Sequence, residues 1–371
     1  MINLNQPYIS GNEIANIARS IALRDLKGDG PFTKKATTLL DTIHNSPESK
    51  ILLTTSCTDA LEMSALLLNI QSGDEVIMPS YTFVSTALAF EMRGASIIFA
   101  DSLPSSPHLN VAHVSRLITP KTKAIVPVHY AGIACDMSAL AALGIPIVED
   151  NAQGITSTLN GQALGTFGCL GTLSFHESKN INCGEGGALI INDPSLAARA
   201  EIIREKGTNR SSFFRGEVNK YGWVSLGSSY LPSDILAAFL CAQLDNVDYV
   251  QAKRQAIFAR YTEELWYTRN RGWQIPVIPV NSTGNAHIFY LVMNSLKERT
   301  NFIAHMKECG VHCVFHYLSL HKSEYFQKKY HGDELTESDR YSDCLVRLPL
   351  YPDLSDEEVW HIIKCVKEFG G

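Results

Sequence analysis

No stretch of this 371-residue chain is a long apolar run; none approaches the ~18 residues that a membrane span requires. Positive charge is not in excess either. Lys and Arg number 32 against 38 Asp and Glu, a net charge of −6, which argues against a nucleic-acid binder with its basic stripe. Paired cysteines are missing: the nine are odd in number and scattered, with no C-x-x-C, so reduced thiols and a cytoplasmic location are expected. The opening "MINLNQPYIS" has neither a basic nor an apolar leader segment, and no signal peptide is expected. No repeat of 20–50 residues or low-complexity tract suggests a solenoid. Several motifs are absent as well. There is no G-x-G-x-x-G or G-x-x-x-x-G-K-[ST], which argues against dinucleotide and P-loop sites, and "HESKN" ends in Asn180 where H-E-x-x-H needs histidine. Cys309, His312, Cys313 and His316 fall in a strand-like stretch whose alternation sends neighbours to opposite faces, so no metal site is expected there.

What remains is an ordinary globular composition, 45% hydrophobic and 19% charged. The length predicts two domains, drawn here as 1–245 and 246–371. Over residues 50–195, apolar runs ("KILLTTS", "DEVIMPS", "ASIIFAD", "KAIVPVHY", "IPIVED") alternate with helical stretches, as in a largely parallel sheet covered by helices. "GTLSF" and "GALIIND" are too close for a helical crossover and predict an antiparallel element. A helix is read over "DPSLAARAEIIREKG", capped by Asp193, and one long helical stretch over roughly 232–268. Beyond it, strand–helix–strand–helix patterns predict a smaller α+β domain.

Ligands of open α/β sheets sit beyond the carboxyl ends of the strands, so those ends hold the candidate site. At "TTSCTDALEM" a strand turns into a helix whose free N–H groups can cradle a phosphate, provided Asp59 faces away. "IPIVEDNAQG" puts Asp150 at the mouth of the sheet, with Gln153 three residues on; a pyridoxal ring needs such a carboxylate against its nitrogen. "SFHESKN" places Ser174 and a single Lys179 between two strands, where a desolvated lysine of lowered pKa can condense with a carbonyl compound. His129 in "PVHY" is equally readable as a core histidine.

With these residues in hand, the chain resembles the DegT/DnrJ/EryC1/StrS sugar aminotransferases, through "GDGPFTKK", "TTSCTDALEM", "GDEVIMPSYTFVSTALA", "IVPVHYAGIACDM", "VEDNAQG", "SFHESKN", "GEGGALI" and "FHYLSLH". The resemblance implies the fold type I architecture of pyridoxal 5′-phosphate (PLP) enzymes: a large, mostly parallel mixed sheet flanked by helices, plus a small C-terminal α+β domain. It implies Lys179 as the catalytic residue that bonds the cofactor, Asp150 at the ring nitrogen, Gln153 near the ring hydroxyl and Phe83 stacked on the ring. Cys57, Thr58 and Ser174 would bind the phosphate. Ser229 stands in "GSSYL" where many members carry an asparagine that reaches the neighbouring subunit's phosphate. His316, Tyr317 and His321 would line the sugar pocket, and Lys34, Lys35, Arg210 and Arg215 are candidates for the substrate diphosphate. "REKGTNRSSFFRGEVNKYGW" and "GSSYLPSDILAA" look most like members acting on dTDP-4-keto-6-deoxyglucose with L-glutamate as donor. Homodimers with shared active sites are implied. Three rivals are weaker: related dehydratases carry histidine in place of Lys179, a nicotinamide enzyme would need its glycine fingerprint, and a silent homologue need not retain lysine, aspartate and phosphate cradle together.

Overall fold

The computed structural model describes residues 1–370. Strands Ser96–Ala100, Glu75–Pro79 and Thr122–Ile125 pair in parallel in that order. A second sheet runs Val148–Asp150, Leu170–Ser174, Gly187–Ile191, Lys50–Thr54. Parallel bridges Ile125–Ile147 and Val128–Asp150 join the two into one surface. Gly187–Ile191 is antiparallel to both neighbours, the element expected from the short gap that precedes it. The other strands of this surface point the same way, so their carboxyl ends converge on one edge.

The strands read as continuous apolar runs because helices cover both faces. On one side Ala60, Leu61, Met63 and Leu67 of helix Cys57–Leu67 pack with Val76, Met78, Phe90 and Leu189. On the other, Phe32, Ala36 and Leu40 of helix Pro31–His44 pack with Leu53, Leu173, Ile190 and Leu240.

The long helical stretch is two helices, Asp234–Leu244 and Val247–Leu265, broken at Asn246, whose φ of −115° is not helical. The break redirects the chain: the first helix packs on the N-terminal helices Glu13–Leu23 and Pro31–His44, the second on C-terminal helix Asp356–Glu368. Neither N-terminal helix was expected from the pattern. A separate core follows, in which Phe258, Tyr261, Phe289, Phe302, Val346, Leu348 and Ile362 close around strands Phe289–Val292, Leu345–Leu348 and Val314–Phe315. The run 319–335 departs from that unit, since Phe326 and Leu335 join the core around Phe99. In 309–316, His312 is exposed, Cys313 is buried in the C-terminal core and His316 lines the cavity described next.

Candidate active site

A cavity of about 390 Å³ opens at the carboxyl edge of the large sheet. Its floor is the start of helix Cys57–Leu67. Ser56 caps this helix by accepting the Asp59 N–H at 3.0 Å, while the Cys57 and Thr58 N–H groups, in the first turn, have no helical acceptor. The Asp59 carboxylate accepts from Thr55 Oγ1 and does not line the cavity, so the helix end keeps its positive character. Thr58 Oγ1 donates to Ser85 Oγ at 2.8 Å. Burial in this cleft, followed by the nearby Asp150, pushes the Cys57 thiol up to about 12, so it stays a neutral thiol.

Gly187 admits this helix to the sheet. A Cβ there would lie 2.4 Å from Cys57 N and 2.4 Å from Ser56 C, both backbone atoms that cannot swing aside. Gly187→Ala is expected to destabilise the fold by about 1–3 kcal/mol, the usual scale of overpacking. Because the displaced atoms form the phosphate floor, it should also weaken cofactor binding. Thermal melts and a spectrophotometric cofactor titration check both, and unchanged affinity would show that the floor lies elsewhere.

One wall comes from strand Val148–Asp150. Asp150 is buried; its Oδ2 accepts from Thr86 Oγ1 at 2.7 Å and its Oδ1 from the Ala152 N–H at 3.2 Å. A carboxylate has about four acceptor sites, so capacity remains toward the cavity. Glu149, its neighbour on the strand, points the other way by the two-residue alternation. There it accepts three N–H bonds from Gly165, Phe167 and Gly168 and one from His129 Nε2 at 2.8 Å. Burial opposes protonation of His129, the Cys135 thiol and Glu149 favour it, and the Cys135 N–H already seated on Nδ1 decides for the neutral ring. His129 is thus a core histidine that holds the strand presenting Asp150.

Gln153 Oε1 accepts the Ala131 N–H at 2.7 Å and its Nε2 donates to Tyr317 OH at 3.2 Å, which turns the amide nitrogen toward the cavity. Ala131 adopts a positive φ of 62° to offer that N–H.

Lys179 lies in the loop between Leu170–Ser174 and Gly187–Ile191, its N–H bonded to His176 O at 2.9 Å. The next residue anchors it: Asn180 donates to Gln251 Oε1 and Asn285 O, and its Oδ1 faces His287 Nδ1 at 2.9 Å. Asn285 in turn donates to Gln153 O and Ile155 O, tying the two functional loops together. Burial in the cavity lowers the Lys179 pKa; Cys57 and Asp150 oppose that shift and Arg347 adds to it. His316 lies opposite, held at Nδ1 by Tyr130 OH at 3.0 Å, and burial keeps it neutral.

Cys57, Thr58, Phe83, Asp150, Gln153, Ser174, Lys179, His316 and Tyr317 therefore share one cavity. Phe83 stands at its mouth, 55% exposed and 6.0 Å from the Tyr317 ring. His321 does not line it. Its Nδ1 lies 2.7 Å from Ser80 Oγ and its Nε2 3.5 Å from Asp339, which makes it a buried structural contact and corrects its expected place in the sugar pocket. Arg210, Arg215 and Ser229 also lie outside the cavity of this chain. Arg210 pairs with Glu205 at 2.6 Å, Arg215 with Glu201 and Glu217, and Ser229 bridges to Glu205. Lys35 pairs with Asp245 at 2.6 Å. Thr86, Tyr130, Asn285 and Arg347 went unread in the sequence. Only Thr86, one turn into a helix that follows a strand end, carried any local signal.

A lysine amine of lowered pKa, a carboxylate and a helix N-terminus around one cleft fit the aldehyde, ring nitrogen and phosphate of PLP. A model of the DegT/DnrJ/EryC1/StrS aminotransferase family matches residues 9–367. The chain belongs to that family. As in other members, PLP is its cofactor and amino transfer its activity. Among solved structures it is similar to the aminotransferase TlmJ of Streptoalloteichus hindustanus, at 30% identity over 99% of this chain and 98% of that one (TM-score 0.90). It is also similar to Spr1654 of Streptococcus pneumoniae, a candidate sugar aminotransferase, at 26% identity, in a PMP form (97% of each chain, TM-score 0.89) and a PLP form (96% and 95%, TM-score 0.87). These aminotransferases share the mixed α/β architecture found here.

Proposed function

We propose that the enzyme moves the amino group of L-glutamate to a keto-sugar nucleotide, dTDP-4-keto-6-deoxy-D-glucose, giving dTDP-4-amino-4,6-dideoxy-D-galactose for surface polysaccharide. The observation that carries the amino-transfer reading is the convergence of Lys179, Asp150 and the free N–H groups of the Cys57 helix on one cavity. The sugar reading is supported by membership of the DegT/DnrJ/EryC1/StrS family and by similarity to Spr1654, a candidate sugar aminotransferase. The choice of nucleotide and ketone is supported by the stretches around 204–223 and 227–238.

Bound PLP supplies an electron sink and carries the amino group between the two substrates. The protein's residues do the rest. Cys57 and Thr58 N–H groups and Ser174 would hold the phosphate, Asp150 would stabilise positive charge at the ring nitrogen, and Gln153 Nε2 would face the ring oxygen. Lys179 Nζ takes the proton from the α-carbon of glutamate and, in the reverse sense, delivers one to the sugar carbon; its lowered pKa keeps more of it neutral for the first task. His316 and Tyr317 face the same space and would contact the sugar.

The reading includes a homodimer with shared active sites. Val84, Leu88 and Met92 form an exposed apolar stripe beside Phe83 at the cavity mouth, and Trp223 is 82% exposed in the segment that carries Arg210 and Arg215. A second subunit covering both would bring those arginines and Ser229 toward a neighbour's cavity. No helix among the described residues is long and apolar enough to cross a membrane.

The test is to incubate the enzyme with glutamate and dTDP-4-keto-6-deoxyglucose and assign the product at C4 by NMR. An axial amine is expected. An equatorial amine, or amination only of a 3-keto sugar, would overturn the substrate assignment while leaving the amino-transfer reading intact.

A further inference from the structure

Helix Val84–Glu91 carries a threonine hydroxyl that leaves its own helix. Thr37, Thr38, Thr42, Thr262 and Thr300, in other helices, each donate to the carbonyl four residues back, the usual outlet for a helical threonine. Thr86 donates instead to Asp150 Oδ2 at 2.7 Å, across 64 residues of chain. Four residues before it stands a second hydroxyl, Thr82 Oγ1, 2.9 Å from Thr86 Oγ1. Both threonines are buried. Each hydroxyl has one proton and an ionised carboxylate only accepts, so the direction is fixed: Thr82 donates to Thr86, and Thr86 to Asp150. The other donor to Asp150, the Ala152 N–H, stands at 3.2 Å, the long end of the range. Thr82 lines the catalytic cavity, whereas Thr86 does not and can act on it only through the carboxylate.

Hydrogen bonds donated to a carboxylate favour its charged form and weaken its hold on a proton. In a chain of two, the first bond polarises the second and strengthens it. Under the proposed function one proton lies between Asp150 and the ring nitrogen of the cofactor, and the ring is an electron sink when that proton rests on nitrogen. A carboxylate free to turn, or one that takes the proton for itself, serves this badly. We propose that Thr86, oriented by Thr82, is a positioning residue that holds Asp150 in its charged, accepting form and so leaves the shared proton on the ring nitrogen.

The proposal rests on the amino-transfer reading, and its test uses a signal that turnover does not enter. Holoenzyme loaded with PLP that carries nitrogen-15 in its ring shows by NMR whether that nitrogen is protonated. The wild-type shift should be that of a protonated ring. Thr86→Val keeps the branched shape without the hydroxyl; it should move the shift toward that of unprotonated pyridine. Its kcat should fall about 10- to 10²-fold in both half-reactions, the scale for one hydrogen bond to a charged group. Thr82→Val should move the shift less and in the same direction, since Thr86 still donates. Thr86→Ser should restore the wild-type shift. A wild-type shift in Thr86→Val would overturn the assignment. So would a Thr86→Ser enzyme that matches Thr86→Val, because packing and not the hydroxyl would then be what counts. Should Thr86→Val not fold, Thr82→Val carries the test: a displaced shift supports the hydroxyl chain and an unmoved one refutes it. A wild-type enzyme with a protonated ring that fails to exchange with glutamate would count against the amino-transfer reading and leave this assignment standing.

Discussion

Lys179→Ala should bring amino transfer down by at least about 10³-fold, within the range lost with a positioned general acid–base group. The phosphate cradle, Asp150 and Gln153 are untouched by the change, so the variant should still take up the cofactor. Borohydride should then fix none of it to the protein, whereas the wild-type chain should be labelled at residue 179. Added small amines should restore part of the rate, because what is lost is a base and not a fold. Burial sets the sign of the pH dependence. The lysine's folded pKa lies below its ordinary 10.5, so between those two values the unfolded chain binds more protons than the folded one and stability rises with pH. Below the folded value the full penalty of burying the ammonium is present. Lys179→Met should therefore raise the melting temperature of the cofactor-free protein near neutral pH, with the advantage fading as pH climbs toward 10.5. Undiminished turnover in Lys179→Ala would sink the assignment.

Asp150→Asn should be the second most damaging change, slowing amino transfer about 10²- to 10³-fold, the scale for losing one preorganised electrostatic contact. The amide has nearly the same shape and can still accept from Thr86 or from the Ala152 N–H, so the strand end should survive. What disappears is the negative charge that holds a proton on the ring nitrogen. The loss should fall on kcat of both half-reactions, because each needs the same electron sink. Melting temperature should change little, since Glu149 and its three N–H donors carry the structural duty at this strand end. A variant with normal kcat and lowered stability would reverse the two roles.

Much of the site was legible because its parts are local. A strand running into a capped helix announces a phosphate cradle, a hydrophobic strand ending in Asp150 announces a carboxylate at the sheet edge, and a lysine in a short turn between two strands announces itself. Each signal lies within a dozen residues, where backbone geometry and side-chain period act directly. The requirement that Asp59 face away is met by Thr55, four residues before it, again a local event.

The misses lie where a distant contact decided. His321 looked like its neighbours His316 and Tyr317, yet Ser80 and Asp339 hold it in the packing. Asn285, in the loop "NSTGNAH", carries no pattern at all, and matters because it bonds Gln153 O from 132 residues away. Strand Leu345–Leu348 was overlooked because Arg347 interrupts a very short apolar run. The two-residue alternation is readable only when its polar face meets water, and here Arg347 lies opposite Tyr290 and Val314 within the protein.

By itself the sequence determined the parallel α/β layout, the antiparallel strand and the lysine, carboxylate and helix end of the site. These follow from capping, turn chemistry and apolar periodicity, which operate between near neighbours. Only the tertiary structure decided that His316 touches the cavity and that His321 stays in the packing. Burial and pairing depend on groups far apart in the chain, and no local pattern encodes them.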